Sequence, residues 1–393
     1  MVYIVLDSVA GYEKLHRAGE GTYGVCYKAK DRATGEVVAL KKVRMDRARD
    51  GIPLTSIREV RVLQECRHPN IVTLHKVVTG SKADSVFLVF EWVDHDMGRL
   101  LDAMPRCFSL PEVKCLVQQL LRAVAHLHRC WVVHRDIKMS NLLYSSSSGL
   151  LKLCDFGLAR YFPPVPGPMT PRVVTLWYRP PELLLGAEVY GEAVDMWSVG
   201  CVMGELLRHA PLFPAHSEPE CLRMQCELLG TPTPRTWKGL SSLPHFSMLN
   251  LPHQPENHLH KVLGTAAEGC HACLDLLQSL LTFDPDQRIS AEAALNHPFF
   301  SDSPKPLPAS LMPSFRELIP SGAPGSTAQL PRHRRPGAAG PESQEQDHTR
   351  GGPPARQQSK RQRDTDLDVQ AIDLKRQLLQ ERERDRRLGS YFG

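Results

Sequence analysis

The 393-residue sequence has no apolar run approaching the roughly 18–20 residues of a membrane-spanning helix. Its opening residues, MVYIVLDSV, lack the basic stretch and cleavage site of a secretory leader, so no export signal is expected there. Disulfide stapling is therefore not expected either. The 11 cysteines read as free thiols of a reducing compartment. CHAC (270–273) has the spacing of half a zinc site, but no second pair follows at metal-site distance. A strong charge of one sign is also missing from most of the chain. The net charge is +5, and residues 304–393, with 16 basic and 11 acidic side chains, carry all of it. The preceding residues are neutral overall, which gives them no electrostatic case for binding nucleic acid.

What the sequence does have is a 42% hydrophobic content arranged in two styles. Residues 11–92 are strand-like. VCYKAK and EVVALKKV alternate on either side of a DRATGE turn, and residues 51–67 are a helical interruption. After residue 100 the period becomes helical, as in LPEVKCLVQQLLRAVAHLHRC (110–130), VDMWSVGCVMGELL (194–207) and ACLDLLQSLL (272–281). The pattern predicts an α+β chain with a small β-rich lobe and a larger helical lobe. The expected bounds are 1–92 (the domain proper from about 11) and 93–303, with packing ending near HPFF (297–300). Residues 304–393 are rich in Pro, Gly and Arg and read as a mostly disordered tail. Within the tail, 366–387 could form a short helix. Leu367, Ala371, Leu374 and Leu378 share one face there, as a partner site or simply as a solvated helix.

Four motifs carry chemistry. GEGTYG (19–24) has GxGxxG spacing, but a strand follows it rather than a helix. A glycine flap over phosphates fits better than a dinucleotide fold, with an ordinary glycine hairpin as the bland reading. In VALK (38–41), Lys41 shares a strand face with Ala39, opposite Val38 and Leu40. HRDIKMSN (134–141) sets an acid, a base and an amide on one loop. Asp136 can take a hydroxyl proton, Lys138 can balance phosphate charge, and Asn141 can hold a metal. Asp155 of CDFG (154–157) adds a second hard oxygen ligand of the kind Mg²⁺ requires.

In this order the motifs, together with PPE (180–182), resemble the protein kinases. GIPLTSIRE (51–59) and VVTLWYRPPELLLG (173–186) narrow the resemblance to the cyclin-dependent kinases, over about residues 11–315. The resemblance implies a bilobal kinase fold using ATP and Mg²⁺. Lys41 would hold the α- and β-phosphates and pair with Glu59. Asp136 would orient and deprotonate the substrate hydroxyl, with Lys138 on the transferring phosphate and Thr175 in the same catalytic set. Asn141 and Asp155 would coordinate Mg²⁺. Ala18, Gly19, Glu20, Gly21, Thr22, Tyr23 and Gly24 would form the flap. Val25, Cys26 and Ala39 would close the roof, and Leu143 the floor. Glu91 and Val93 would offer backbone to adenine, with Phe90 behind and Asp96 near the ribose. Three residues depart from the usual pattern. Cys26 and Cys154 border the expected nucleotide, and ATP is expected to shield one of them from alkylation. Pro180 replaces alanine and is expected to leave a Glu182–Arg288 pair intact.

At about 100° per residue, Glu59 falls in an apolar arc with Val62, Leu63 and Cys66. The opposite arc holds Arg58, Arg61, Gln64, Glu65 and Ile57. A buried carboxylate needs a partner. Lys41 is the natural one, and a Ser56–Glu59 capping box is the alternative. An exposed Ile57 would then mark contact with another chain. The resemblance further implies an activating phosphate on Thr170, placed by another kinase and gathered by Arg58, Arg135 and Arg160. Thr22 and Tyr23 match inhibitory phosphorylation sites. Val173, Val174 and Arg179 match a pocket favouring proline after the target residue, hence Ser/Thr-Pro protein substrates. The implied partner is a cyclin, L- or M-like. The implied roles lie in cell-cycle or transcription and splicing control, in the nucleus with the cytoplasm as a second location. Two other readings stand beside this one. In one the chain is a catalytically dispensable scaffold. In the other its basic tail, with RHRR (332–335) and SKRQR (359–363), recruits RNA or splicing factors. A nuclear-import signal needs no more than those clusters.

Overall fold

Alternating sequence in the first lobe becomes a six-stranded sheet. A computed structural model describes residues 7–21, 24–44, 52–80, 85–162, 169, 173–248, 251–263 and 270–315. The expectations for Thr22, Tyr23, Thr170 and the chain after 315 lie outside these residues. The strands are β1 (Asp7–Ser8), β2 (Tyr12–Gly21), β3 (Gly24–Asp31), β4 (Val37–Val43), β5 (Leu74–Thr79) and β6 (Val86–Glu91), in the order β1-β5-β6-β4-β3-β2. All neighbours are antiparallel except β1 and β5. Alternation divides β4 as its sequence predicts. Val38 and Leu40 join Tyr12, Ala29, Val78, Phe87 and Val89 in an outer core, while Ala39 and Lys41 face the other way.

Helix α1 (Leu54–Glu65) packs against β5 and the Phe156–Leu158 turn. Its Val60, Val62 and Leu63 belong to the inner core, which continues into the second lobe. Pro53 caps it without a side-chain bond, and Ser56 lies inside the first turn, so the capping box does not form. The helix corrects one expectation. Ile57 is fully buried, and the apolar residue left outside is Leu54, 59% exposed. The wheel assumed one covered face. Ile57 belongs to the inner core, and on the same side of the helix Arg61 lies over the Tyr161 ring (4.7 Å) while the Tyr161 hydroxyl donates to Glu65 (2.6 Å).

The second lobe begins with β7 (His95–Asp96) and α2 (Met97–Ala103), whose first turn Asp96 caps through the Arg99 amide (3.1 Å). Helix α3 (Leu110–Arg129) follows, with Glu112 accepting the Ser109 amide (2.7 Å) at its start. Short strands β8 (Val132–Val133), β9 (Leu142–Ser145), β10 (Leu150–Leu153) and β11 (Arg160–Tyr161) carry the loops between them. The sheets β10-β9-β7 and β11-β8 hold those loops in place. Next come α4 (Pro181–Leu184), the all-round buried α5 (Ala193–Arg208), α6 (Glu218–Leu229), α7 (Leu259–Leu263), α8 (His271–Leu280), α9 (Ala291–Leu295) and α10 (Pro298–Ser301). Packing does not stop at 303. Residues 304–315 lie along this lobe, with Met312 and Phe315 buried. A few aromatic and apolar anchors suffice where proline limits the freedom lost on ordering. No helix among the described residues is long and apolar enough to cross a membrane.

Candidate active site

Two polar clusters form where the lobes meet. In the first, Lys41 Nζ lies 2.7 and 3.0 Å from the Glu59 carboxylate and 3.0 Å from Asp155 Oδ1. Strand β4, helix α1 and the turn after β10 thus supply one residue each. Burial alone would push the Lys41 ammonium down, but the two carboxylates hold it above its ordinary value. For Asp155, burial acts upward and Lys41 more than reverses it, leaving the carboxyl below the usual range. Asp155 has φ 61°, a left-handed conformation that carries strain in a non-glycine residue and aims its carboxylate at Lys41.

The second cluster comes mainly from the loop between β8 and β9. Lys138 Nζ donates to Asp136 Oδ2 (2.8 Å), and the Thr175 hydroxyl donates to Asp136 Oδ1 (2.9 Å). The Asn141 amide donates to the Asp136 carbonyl (2.8 Å) and to Oδ2 (2.9 Å). Lys138 also donates to the Thr175 hydroxyl (3.0 Å). Asp136 is buried, so its charge is oriented by three side-chain donors rather than by solvent.

Asp195, a residue outside the expected set, holds this loop. It accepts the amides of His134 and Arg135 (2.8 Å each) and the His128 ring nitrogen (3.0 Å). Burial pushes its carboxyl up, and His128 with the loop amides brings it below its ordinary value. A sequence signal existed: VDMWSVG puts one carboxylate into an otherwise apolar helix. The His134 ring accepts the Asp136 amide at Nδ1 (3.2 Å), so Nε2 donates to the Cys154 carbonyl (3.1 Å) and links the two loops. Burial lowers the His134 pKa, which keeps the ring neutral.

Of the residues expected around a nucleotide, Ala18, Gly19, Val25, Cys26 and Ala39 on the sheet and Asp96 and Leu143 in the second lobe are each partly exposed. Cys26 is opposite Lys41, and Ala39 opposite the buried Phe90. Burial raises the thiol pKa of both Cys26 and Cys154. Strands β2 and β3, which carry the described residues of the glycine-rich motif, pair from Tyr12–Asp31 to Gly21–Gly24. Gly24 has φ 149°, and a Cβ there would overlap the Lys42 carbonyl. Glu20 and Gly21 are described in their backbone only. The Glu91 carboxylate points away to the Thr73 amide (2.7 Å) and Lys152 (2.8 Å), joining the lobes behind the cleft near the buried Val93.

Further out, Arg135 is buried with φ 66° and donates to the Leu158 carbonyl and the Tyr190 hydroxyl (2.8 Å each). The Tyr190 hydroxyl pKa is raised by burial, against the pull of both Arg135 and Arg160. Arg160 and Arg58 are both half-buried, Arg160 on β11 and Arg58 on α1. Val173 and Val174 are buried. Val174 has φ 66°, an outlier for a β-branched residue, and Arg179 donates twice to its carbonyl (2.9 and 3.1 Å). Glu182 and Arg288 form the expected bidentate pair (2.8 and 2.9 Å), and Pro180, with φ −72°, caps α4 without strain.

Among the described residues no group of three or more His, Cys, Asp or Glu side chains could hold a metal by itself. The Asn141–Asp155 pair fits Mg²⁺ nonetheless. The Asn141 nitrogen is spent on Asp136, which leaves its Oδ1 as the ligand atom. Mg²⁺ is commonly bound through one or two protein oxygens plus phosphates and water.

Comparison with known proteins identifies the family. The protein kinase domain family matches residues 12–300. Probable cyclin-dependent kinase 10 of Dictyostelium discoideum is 50% identical over 80% of this chain and 86% of its own length. Cyclin-dependent kinase 10 of Homo sapiens is 48% identical over 78% of this chain and 84% of its own. Cyclin-dependent kinase 11B of Homo sapiens is 46% identical over 78% of this chain and 38% of its own. The chain therefore belongs to the protein kinase family as a serine/threonine kinase of the cyclin-dependent branch, similar to cyclin-dependent kinase 10.

Proposed function

We propose that this kinase is activated by a cyclin and transfers the ATP γ-phosphate to serine or threonine followed by proline. The observation that carries the reading is the Asp136 carboxylate, fixed by Lys138, Thr175 and Asn141 beside the Lys41–Glu59–Asp155 cluster. Asp136 accepts the proton of the substrate hydroxyl as that oxygen bonds to phosphorus and the bond to ADP breaks. Lys138 and Lys41 offset phosphate charge, and Glu59 keeps Lys41 in position. Asn141 and Asp155 would hold Mg²⁺, which supplies charge neutralisation on the phosphates. The flap residues Ala18–Gly24, with Val25, Cys26, Ala39 and Leu143, enclose the nucleotide. Glu91 and Val93 present backbone to the base, and Asp96 lies near the ribose.

The specificity for proline follows from the Val174 carbonyl. Arg179 already occupies it, so a residue after the target would bring an N–H with no acceptor. Such a loss is worth about 1–3 kcal/mol, or roughly 5- to 150-fold. Proline has no N–H to lose. Thr170 phosphate would complete the Arg58–Arg135–Arg160 set, and phosphate on Thr22 or Tyr23 would repel the nucleotide. The cyclin, L- or M-like, would meet α1 through exposed Leu54. Nuclear action in cell-cycle or transcription control fits this reading. A peptide array tests the specificity. Preference for proline after the target is expected, and equal use of alanine there overturns it.

A further inference from the structure

The segment after the last helix packs with more specific contacts than a linker needs. Lys114, fully buried, donates to the Asp302 carbonyl (2.9 Å) and lies over the Phe299 ring (4.8 Å). The Leu307 amide donates to the Pro111 carbonyl (3.0 Å). The backbone at Ala309 lies on Gly149, in the turn joining β9 to β10. That glycine has φ 65°, and a Cβ there would overlap the Ala309 carbonyl. The strap ends on β7 and β9. The Tyr144 hydroxyl donates to the Pro313 carbonyl (2.6 Å). The Phe315 amide donates to the Ser146 hydroxyl (3.0 Å), which is 2.6 Å from His95 Nε2. The Phe315 ring meets Phe108, Tyr144 and His95 edge-on, with centroids 5.7–6.4 Å apart.

These contacts have one destination. His95 is paired with Tyr144, and its neighbour Asp96 with Leu143. His95 follows closely on the segment Glu91–Val93, and Asp96 caps α2. The strap therefore backs the strand pair whose other residues, Asp96 and Leu143, are expected around the nucleotide. His95 keeps Nδ1 buried without a partner, so its ring is held by the Ser146 bond and the Phe315 ring more than by its own polar satisfaction. Removing the strap's end would expose that ring and free β7 to shift.

We propose that residues 303–315 are a positioning strap. Phe315, acting through Ser146 and His95, sets the place of Asp96 and Leu143 and with it the affinity for the adenine nucleotide. The proposal rests on the nucleotide-site reading above. None of Phe315, Ser146 or Gly149 touches a reacting atom.

The test uses the full chain with two changes made separately. Phe315→Ala removes the aromatic end of the strap. Gly149→Ala wedges the strap away at its middle, far from the cleft. ADP and ATP affinity is measured by direct titration, alongside KM for ATP and kcat. Both variants are expected to weaken nucleotide binding about fivefold, the size of one net hydrogen bond. Turnover at saturating ATP should stay near that of the unaltered chain. Phe315→Leu, which restores bulk, should recover most of the affinity. A strap that only adds stability would lower the melting temperature of both variants while leaving the nucleotide Kd of the folded protein unchanged. That result overturns the proposal. If the unaltered chain binds no nucleotide, the site reading itself fails, a separate outcome.

Discussion

The Asp136 cluster and the Lys41 cluster are built differently. Asp136, Lys138 and Asn141 come from one eight-residue loop, HRDIKMSN, whose backbone amides are gripped by Asp195. Lys41, Glu59 and Asp155 come from a strand, a helix and a turn separated by up to 114 residues. The Asp136 cluster is held mainly by local covalent geometry, the buried Asp195 and the Thr175 hydroxyl. The Lys41 cluster exists only while α1 stays against the sheet and the Phe156–Leu158 turn. A change on the inward face of α1 that leaves the chain folded should therefore reach the Lys41 cluster and spare the Asp136 cluster.

The largest expected effect comes from α1 itself. Ile57→Asp places an unpaired carboxylate in the core and should cost more than about 4 kcal/mol, leaving little folded protein. Leu54→Asp, three residues earlier and exposed, should change stability by less than about 0.5 kcal/mol while weakening cyclin binding. Thermal melts of the two variants check this. Equal melting temperatures would mean α1 is not packed as described. Glu59→Gln keeps the fold but removes a charge-assisted bond worth about 1.5–3 kcal/mol, so kcat/KM for ATP should fall roughly 10- to 150-fold. Loss of the same size in a variant confined to the outer sheet face would blur the contrast.

A smaller effect is expected from acid. Burial depresses the pKa of His95, His126 and His134, and takes His68 to about 4. Unfolded histidines take up protons below about pH 6.5 while these stay neutral in the fold. The unfolded chain then binds more protons, so stability should fall as pH drops from 7 towards 5. A melting temperature flat across that range would contradict it. The smallest effect concerns Cys26 and Cys154. Raised thiol pKa values leave little thiolate, so alkylation at neutral pH should be slow and slower still with ATP present. Equal labelling with and without ATP would remove these thiols from the cleft.

Much of this was legible in the residues. Alternation in VALK put Lys41 on the correct face, and Glu59 amid apolar neighbours announced a buried pair. Ile57 was misplaced because a helical wheel knows one helix and not what packs on each of its faces. Asp195 was missed although a lone carboxylate in VDMWSVG was visible, because sequence does not say which loop will present its amides. The strap was assigned to the tail because composition hides a few well-placed anchors, Met312 and Phe315, among prolines.

The most direct measurement is phosphate transfer to a Ser-Pro peptide by the unaltered chain and by Asp136→Asn, each with a cyclin. Removing a general base costs about 10²- to 10⁴-fold, and that loss, with nucleotide affinity retained, is the expected result. Equal transfer by the two proteins would contradict the role given to Asp136.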